Sequence, residues 1–475
     1  MVGPHRLPCE TPEAYTGEGA TAPGPRWVLP ATILGSSMSF IDGSVVNIAL
    51  PAMQSNLESS FGTLQWVVNG YMLTLASLIL FGGALGDRFG RRRIFMIGLG
   101  IFAAASAGCG LAMSSRWLVA ARLVQGIGAA LLTPTSLGII GSAYSGAARG
   151  MAIGTWAAAG ALTTALGPPL GGWLVDTIGW RSIFFINLPI GAAALLLARK
   201  LPADRANDAT TLDEGGALLA TVSLALLTFG LISLGERALT AGAVALICSV
   251  PAIWLFIRHE ARTQSPMMPP SLFRNARFSG VNALTFLLYA ALGCFMFLLP
   301  LVLIQLHGYS ATAAGAALLP FSIIVGLGSR WSGGLINRIG TRLPLIVGPT
   351  VAATGFAVLS LSGNNSGYWS GFLPGLVVVS IGMTVTIAPL TTAVFDSAPA
   401  DMSGTASGIN NAAARAGSLV AIAALGLAFG AASPEAGATL SESAYRLAMI
   451  AAALVAGAGA ITAALTIHSG TRKLA

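Results

Sequence analysis

Residues Gly83-Ala84-Leu85-Gly86-Asp87-Arg88-Phe89-Gly90-Arg91-Arg92 return 250 residues later as Gly333-Gly334-Leu335-Ile336-Asn337-Arg338-Ile339-Gly340-Thr341-Arg342. Five of the ten positions match: the first Gly, the Leu, the Arg, the second Gly and the final Arg. A basic loop between apolar segments would explain the arginines alone. Two glycines held at a fixed spacing point instead to a duplication, which divides the chain into two related halves.

Each copy follows a long apolar segment. Of the 475 residues, 55% are hydrophobic and only 9% are charged, against about 25% charged in soluble domains. That balance excludes a soluble globular enzyme, and the apolar richness excludes a disordered chain. Crossing a hydrocarbon core of about 30 Å takes about 20 apolar residues. On that measure the sequence predicts fourteen spans, at 27–50, 63–85, 94–113, 117–142, 150–175, 181–200, 215–235, 241–258, 278–306, 311–336, 343–362, 367–391, 403–430 and 444–467. The repeated loops follow the second and tenth spans. Six spans therefore form each half, and the seventh and eighth are an insert. The expected fold is an all-α membrane protein of two six-helix bundles related by pseudo-two-fold symmetry, with two extra central transmembrane helices. The expected divisions are a tail at 1–26, a first bundle at 27–200, the insert with its linkers at 201–277, a second bundle at 278–467 and a tail at 468–475. No secretory signal is expected in the first tail.

Charge fixes the expected orientation. Eighteen of the 25 Lys and Arg fall in segments on the side of the N-terminus, four on the other side, and three (Arg122, Arg330, Arg415) within spans. By the positive-inside rule both termini face the cytoplasm. The net charge of +8 then reports topology, and no nucleic-acid partner is expected. Four scattered cysteines and four scattered histidines form no disulfide framework and no metal site.

An ionisable residue deep in a bilayer costs about 2.5 kcal/mol or more, so it is a functional candidate by default. Asp42 lies fifteen residues past Trp27, about 22 Å up from the cytoplasmic side. Arg122 descends five residues from Trp117, about 8 Å below the outer edge, which is the depth of Asp42. Burial and a neighbouring cation pull a carboxylic acid in opposite directions, so such a pair can take up and release a proton as its surroundings change. The alternative is a static strut between two helices. Arg415 is expected near the cytoplasmic end of its span, where it could snorkel to water. Trp66, Asn69, Tyr71, Trp156, Asn282, Tyr289 and Phe295 are aromatic and amide candidates for a midplane cavity. Packing at helix contacts and interfaces is the competing role for the aromatics.

These residues carry a resemblance. Phe40-Ile41-Asp42-Gly43-Ser44-Val45-Val46-Asn47-Ile48-Ala49-Leu50-Pro51 resembles the first-span signature of the fourteen-span drug:proton antiporters, a branch of the major facilitator superfamily. The loop from Gly83 to Arg92 resembles the superfamily's GxLaDrxGrk motif. Arg122-Leu123-Val124-Gln125-Gly126-Ile127-Gly128 is similar to its RxxQG motif. Trp180-Arg181-Ser182-Ile183-Phe184-Phe185-Ile186-Asn187-Leu188-Pro189-Ile190-Gly191 resembles the WRxIFxINxPIG run of that branch. Gly154, Gly167, Pro168, Gly171 and Gly172 resemble the motif that marks antiporters, with Thr163 where that pattern has another Gly. The second half matches thinly, mainly in the repeated loop and from Gly404 to Arg415.

The resemblance implies a major facilitator fold and a proton-coupled antiporter, not an enzyme, exporting amphipathic compounds, cationic or neutral, by alternating access. Asp42 would carry the proton and Arg122 tune it. Gly83, Asp87, Arg88, Gly90, Arg91 and Arg92 would form a cytoplasmic latch, with Asp87 bonded to a helix N-terminus or to neighbouring Arg, and Asn337 would weaken the second copy. The glycine-proline helix would set the direction of coupling, and Asn47 and Gln125 join the cavity candidates. No cofactor is expected, and no nucleotide-binding motif is present. The expected partners are a small-molecule substrate, protons and the lipid of a bacterial cytoplasmic membrane, with the protein a monomer. The alternatives are a proton-coupled symporter or uniporter importing a solute, and a non-transporting receptor.

Overall fold

The computed structural model describes residues 26–202, 211–362, 367–399, 402–432 and 440–467. The two expected tails thus lie outside the described residues, apart from Arg26. Among the described residues the regular structure is entirely helical, as a lipid setting requires of an open chain whose backbone must satisfy itself. In chain order the helices of the first half are α1 (Val28–Asn56), α2 (Phe61–Phe89), α3 (Arg91–Gly110), α4 (Ser115–Ala143), α5 (Gly146–Thr177), α6 (Ser182–Phe185) and α7 (Asn187–Ala198). Then come α8 (Glu214–Gly235), α9 (Leu239–Glu260) and the short α10 (Pro270–Phe273). The remainder are α11 (Ala276–Gln305), α12 (Ala311–Ala316), α13 (Leu319–Ile339), α14 (Arg342–Leu359), α15 (Leu373–Asp396), α16 (Ser403–Ala432) and α17 (Glu442–Thr466). A π-helical turn, Tyr368–Phe372, leads into α15.

A helix stands at each of the fourteen expected positions, but twelve are long and apolar enough to cross a membrane. The other two fall short for visible reasons. Helix α5 is 32 residues long but is built largely of Gly, Ala and Thr, which carry little hydropathy. The sixth segment is broken between α6 and α7.

Local chemistry sets the helix ends. Ser60, Ser114, Ser310 and Ser441 cap α2, α4, α12 and α17, each accepting a hydrogen bond from the amide three residues on. The second glycine of each repeated loop has a positive φ, 94° at Gly90 and 73° at Gly340. Side-chain-bearing residues rarely adopt that conformation, so the turn itself accounts for the repeated glycine.

The pairings repeat as well. Helix α2 packs on α4 as α13 packs on α15, and α3 on α4 as α14 on α15. Helix α1 packs on α5 and α7 as α11 packs on α16 and α17, and α3 on α7 as α14 on α17. Between the two groups, α2 meets α16, α5 meets α12 and α13, and α1 meets α11. Helices α8 and α9 pair with each other, and α8 lies against both α2 and α16. Asp213 joins that pair: it caps α8 through the Gly216 amide at 2.8 Å and is 2.7 Å from His259 of α9. Burial alone would push the Asp213 carboxyl up, but the His259 bond and the Gly216 and Met267 amides outweigh it and hold it below the usual carboxylate range.

Contacts across the seam gather at the end opposite the repeated loops. Gln305 donates to Gln54 at 2.7 Å. Asp176 of α5 accepts from the amides of Ala311 and Thr312, at 3.1 and 2.8 Å, and from the Thr312 hydroxyl at 2.6 Å. Phe61 stacks against Phe429 at 4.4 Å and edge-on to Phe297 at 5.8 Å. Gln65 donates to the carbonyls of Ile422 and Ala423.

Candidate functional site

The two residues singled out by depth meet. Asp42 of α1 and Arg122 of α4 are 0% and 1% exposed, and Arg122 Nη1 donates to Asp42 Oδ2 at 2.5 Å. Gln125, one turn along α4 from Arg122, closes the triangle. Its amide nitrogen donates to Asp42 Oδ1 at 2.8 Å, and its oxygen accepts from Arg122 Nη1 at 2.7 Å. The rest of the guanidinium is occupied too: Nε donates to the Val67 carbonyl at 3.0 Å, and the Tyr71 ring lies 4.5 Å beneath it. The Tyr71 hydroxyl is 2.7 Å from Ser39 Oγ on α1. Two side chains, Gln125 and Tyr71, and the Val67 carbonyl therefore surround one buried carboxylate–guanidinium pair, the condition under which such a pair is tolerable away from water.

Sequence reasoning missed part of this network. Ser106 of α3 accepts from Gln125 at 2.8 Å and from Asn187 of α7 at 3.3 Å. Asn187 is fully buried, and its side-chain oxygen has no partner. It stands inside the quoted 180–191 run, so the signal was an amide in the middle of an apolar segment. Ser106 carries no signal that sets it apart from the other serines.

Helix α5 is clasped on two sides. A side chain at Gly167 or Gly171 would run into Ser44 or Val45 of α1, and one at Gly172 would run into the backbone of Ala311 and Thr312. Reciprocally, Gly315 of α12 lies against the backbone of Pro168 and Pro169. Helix α5 continues unbroken through that proline pair. Gly154 faces open space and takes no part. Thr163, in place of the expected glycine, reaches Ser37 of α1 at 3.4 Å.

In the repeated loop Asp87 bonds Arg91, at 2.9 Å, and no helix N-terminus. Arg91 also donates to the Gly138 carbonyl at 3.0 Å, and Arg92 to the Arg199 carbonyl at 2.6 Å, tying α3 to α4 and α7. Arg88 lies 5.3 Å from the Phe89 ring. Gly83 is in ordinary contact with Pro134. The side chains of Asn337 and Arg338 lie outside the described residues.

The cavity candidates separate. Trp156 donates to Ser36 at 3.0 Å and meets Phe40 edge-on at 5.7 Å, bridging α5 to α1. Trp66 turns towards Phe229 of α8, 6.4 Å away, and Phe295 packs between Phe321 and Phe356. Both thus have aromatic neighbours on other helices, a rotation to which a span apolar on every side gives no cue. Asn47 is half-buried and outside the Asp42 network. Asn69 is fully buried with neither amide atom bonded. Asn282 accepts from Asn410 at 3.2 Å, and Asn410 also donates to Thr285 at 2.7 Å. Tyr289 is half-buried, and its carbonyl accepts from Ser418 at 2.9 Å.

Arg415 departs from expectation. Helix α16 runs twelve residues before it and seventeen after, so it is not at a span end. Its guanidinium is close enough to interact electrostatically with Tyr71 and Tyr289.

The Methylenomycin A resistance protein of Bacillus subtilis is 36% identical over 405 residues, covering 84% of this chain and 86% of that one. The Multidrug resistance protein Stp of Mycobacterium tuberculosis is 36% identical over 84% of this chain and 74% of its own. The Probable actinorhodin transporter of Streptomyces coelicolor is 35% identical over 92% of this chain and 79% of its own. Among solved structures, the xylose transporter XylE from E. coli, in an inward open conformation, superposes with a TM-score of 0.64 over 94% of this chain at 15% identity. A POT family transporter reaches 0.68 over 92% at 13% identity. At those identities the likeness concerns the fold. The family model described as Major Facilitator Superfamily matches residues 32–422, and the chain belongs to that superfamily as a multi-pass membrane transporter.

Proposed function

We propose that this protein is a proton-coupled antiporter that exports amphipathic organic compounds by alternating access. Its working form would be a fourteen-span monomer of two six-helix bundles, 27–200 and 278–467, related by a pseudo-two-fold axis and joined through the inserted pair α8–α9. The names of the resistance and export relatives support export, and the recurring helix pairings support the two bundles. The positive-inside bias supports a bacterial cytoplasmic membrane with both termini inside. The polar seam contacts would then lie towards the external side, with Leu80 on Gly408 a further contact nearer the cytoplasmic side.

The observation that carries the reading is the buried Asp42, bonded to both Arg122 and Gln125. Protonation of Asp42 cancels its attraction for Arg122, while Arg122 keeps the Val67 carbonyl and the Gln125 oxygen. The hold of α1 on α4 is thereby loosened. Two and three residues along α1, Ser44 and Val45 abut Gly167 and Gly171 of α5, and the next glycine of α5 abuts α12 in the other half. A proton at Asp42 is thus one helix away from the seam. Each proton entering supplies about 2.3 kcal/mol per 100 mV of membrane potential. That is the scale of about 3–5 kcal/mol set by uncoupling a buried ion pair.

The test is dye accumulation in proteoliposomes under an imposed pH gradient, comparing the parent with Asp42→Asn. Gradient-driven accumulation by the parent, lost in the variant while dye binding survives, is the expected outcome. A variant that transports like the parent removes Asp42 from the coupling role.

A further inference from the structure

Two features at the seam have no role in the proton site, and both lie where α2 faces α16. Their register is fixed at two points. Gln65 of α2 donates to the Ile422 and Ala423 carbonyls, and Leu80 packs on Gly408. The helices therefore run antiparallel. On α16, Gly408, Arg415 and Ile422 recur every seven residues, two turns apart, and share one face. On α2, Asn69 sits one turn from Gln65 on the stripe that ends at Leu80.

Arg415 is therefore directed into the seam between the halves, near Tyr71 on one side and Tyr289 on the other. Among the described residues its guanidinium has no carboxylate partner and no hydrogen bond. This sets it apart from Arg122, whose Nε and Nη1 are both bonded and whose guanidinium lies over the Tyr71 ring. A fixed cation in the middle of a membrane protein is costly unless an anion or a dense set of acceptors compensates it. The second feature is Asn69, 0% exposed, with its amide nitrogen and oxygen both unbonded. An orphaned amide and an unpaired guanidinium in one seam make a polar constellation left open on the protein's own side. The Asp42–Arg122 pair beyond Tyr71 contributes no net charge that would repel an anion.

We infer that Arg415 anchors the acidic group of an amphipathic organic anion, with Asn69 and the Tyr289 hydroxyl supplying neutral hydrogen bonds beside it. The inference rests on the export reading above and puts organic acids in place of the cationic or neutral cargo that the resemblance implies. The planar guanidinium fork suits a carboxylate, which it can hold through two parallel hydrogen bonds, and lysine cannot reproduce that geometry. In this arrangement α16 carries the charge that meets the substrate, while α1 and α4 carry the charge that meets the proton.

The experiment uses the full-length protein purified in detergent and two probes that differ in one charge, 7-diethylaminocoumarin-3-carboxylate and its uncharged ethyl ester. Binding is read by fluorescence anisotropy. The parent should bind the carboxylate at least tenfold more tightly than the ester. Arg415→Gln should erase that preference while leaving ester affinity within about twofold, a shift of one decade or about 1.4 kcal/mol. Arg415→Lys should keep an intermediate preference. A parent with no preference, whether it binds both probes alike or neither, overturns the inference. So does an Arg415→Gln protein that retains the preference, or one that loses both probes together, which marks a packing role. Binding is separate from transport: intact acid preference with no gradient-driven transport would defeat the export reading and leave this one standing. Gradient-driven transport of the ester by a parent without acid preference would do the reverse.

Discussion

The two halves repeat each other's helix pairings but not each other's chemistry. In the first half the polar centre is charged and closed: Asp42, Arg122 and Gln125 occupy one another, with Ser106, the Val67 carbonyl and the Tyr71 ring completing the shell. In the second half the cluster of Asn282, Thr285 and Asn410 is neutral, and the charge nearby, Arg415, is left open. On the proposed reading, the repeated scaffold holds the proton site on one side and a recognition site on the other. Neutral amides and hydroxyls can be exchanged one at a time, at about 0.5–1.5 kcal/mol per hydrogen bond. A buried ion pair cannot lose one partner so cheaply.

The largest effect should follow from breaking the first centre. Arg122→Leu leaves Asp42 buried without its cation and should cost about 3–5 kcal/mol, read by thermal unfolding in detergent. The double variant Asp42→Asn with Arg122→Leu should regain most of that stability and no gradient-driven transport. Recovery of transport would show that the pair is only a strut.

At the seam, Gly172→Val drives a side chain into the Ala311–Thr312 backbone and should cost the closed state about 1–3 kcal/mol. Spin labels at Ser55 and Tyr309 should report a longer distance distribution; an unchanged one would mean that α5 and α12 part without consequence. Asp176→Asn weakens three hydrogen bonds to the start of α12, and should shift the same distribution in the same direction by about 1–2 kcal/mol. The smallest effect belongs to the neutral cluster. Asn410→Ala should lower stability by about 1 kcal/mol and leave proton-driven dye transport within severalfold of the parent. Loss of coupling there would erase the contrast between the halves.

Much of this was legible in the sequence because membrane depth is arithmetic. A rise per residue, applied to two spans of opposite direction, placed Asp42 and Arg122 at one depth before any helix packing was known. Rotation about a helix axis was not legible, since spans apolar on all sides lack the contrast that marks a face. Trp66 and Phe295 were expected at a cavity for that reason, and the structure turns them to α8 and to the core. Of the two partners expected for Asp87, a helix N-terminus or a neighbouring Arg, the structure shows the second, Arg91 one turn away. Arg415 was assigned to a span end although the span drawn at 403–430 starts where α16 starts, which already leaves the residue twelve positions inside it; its residue type was the better guide.

The clasp between α5 and α12 has a consequence for how such a protein diversifies. Gly172 rests on the backbone of Ala311 and Thr312, and Gly315 on that of Pro168 and Pro169, so two main chains touch with no side chain between them. A joint of this kind has no rotamers to adjust. Under the proposed alternating access it would be either seated or parted, a detent with two stops and no intermediate setting. The residues that face a cargo can then drift from one compound to another without retuning the hinge, and a lineage can change what it carries while keeping how it moves.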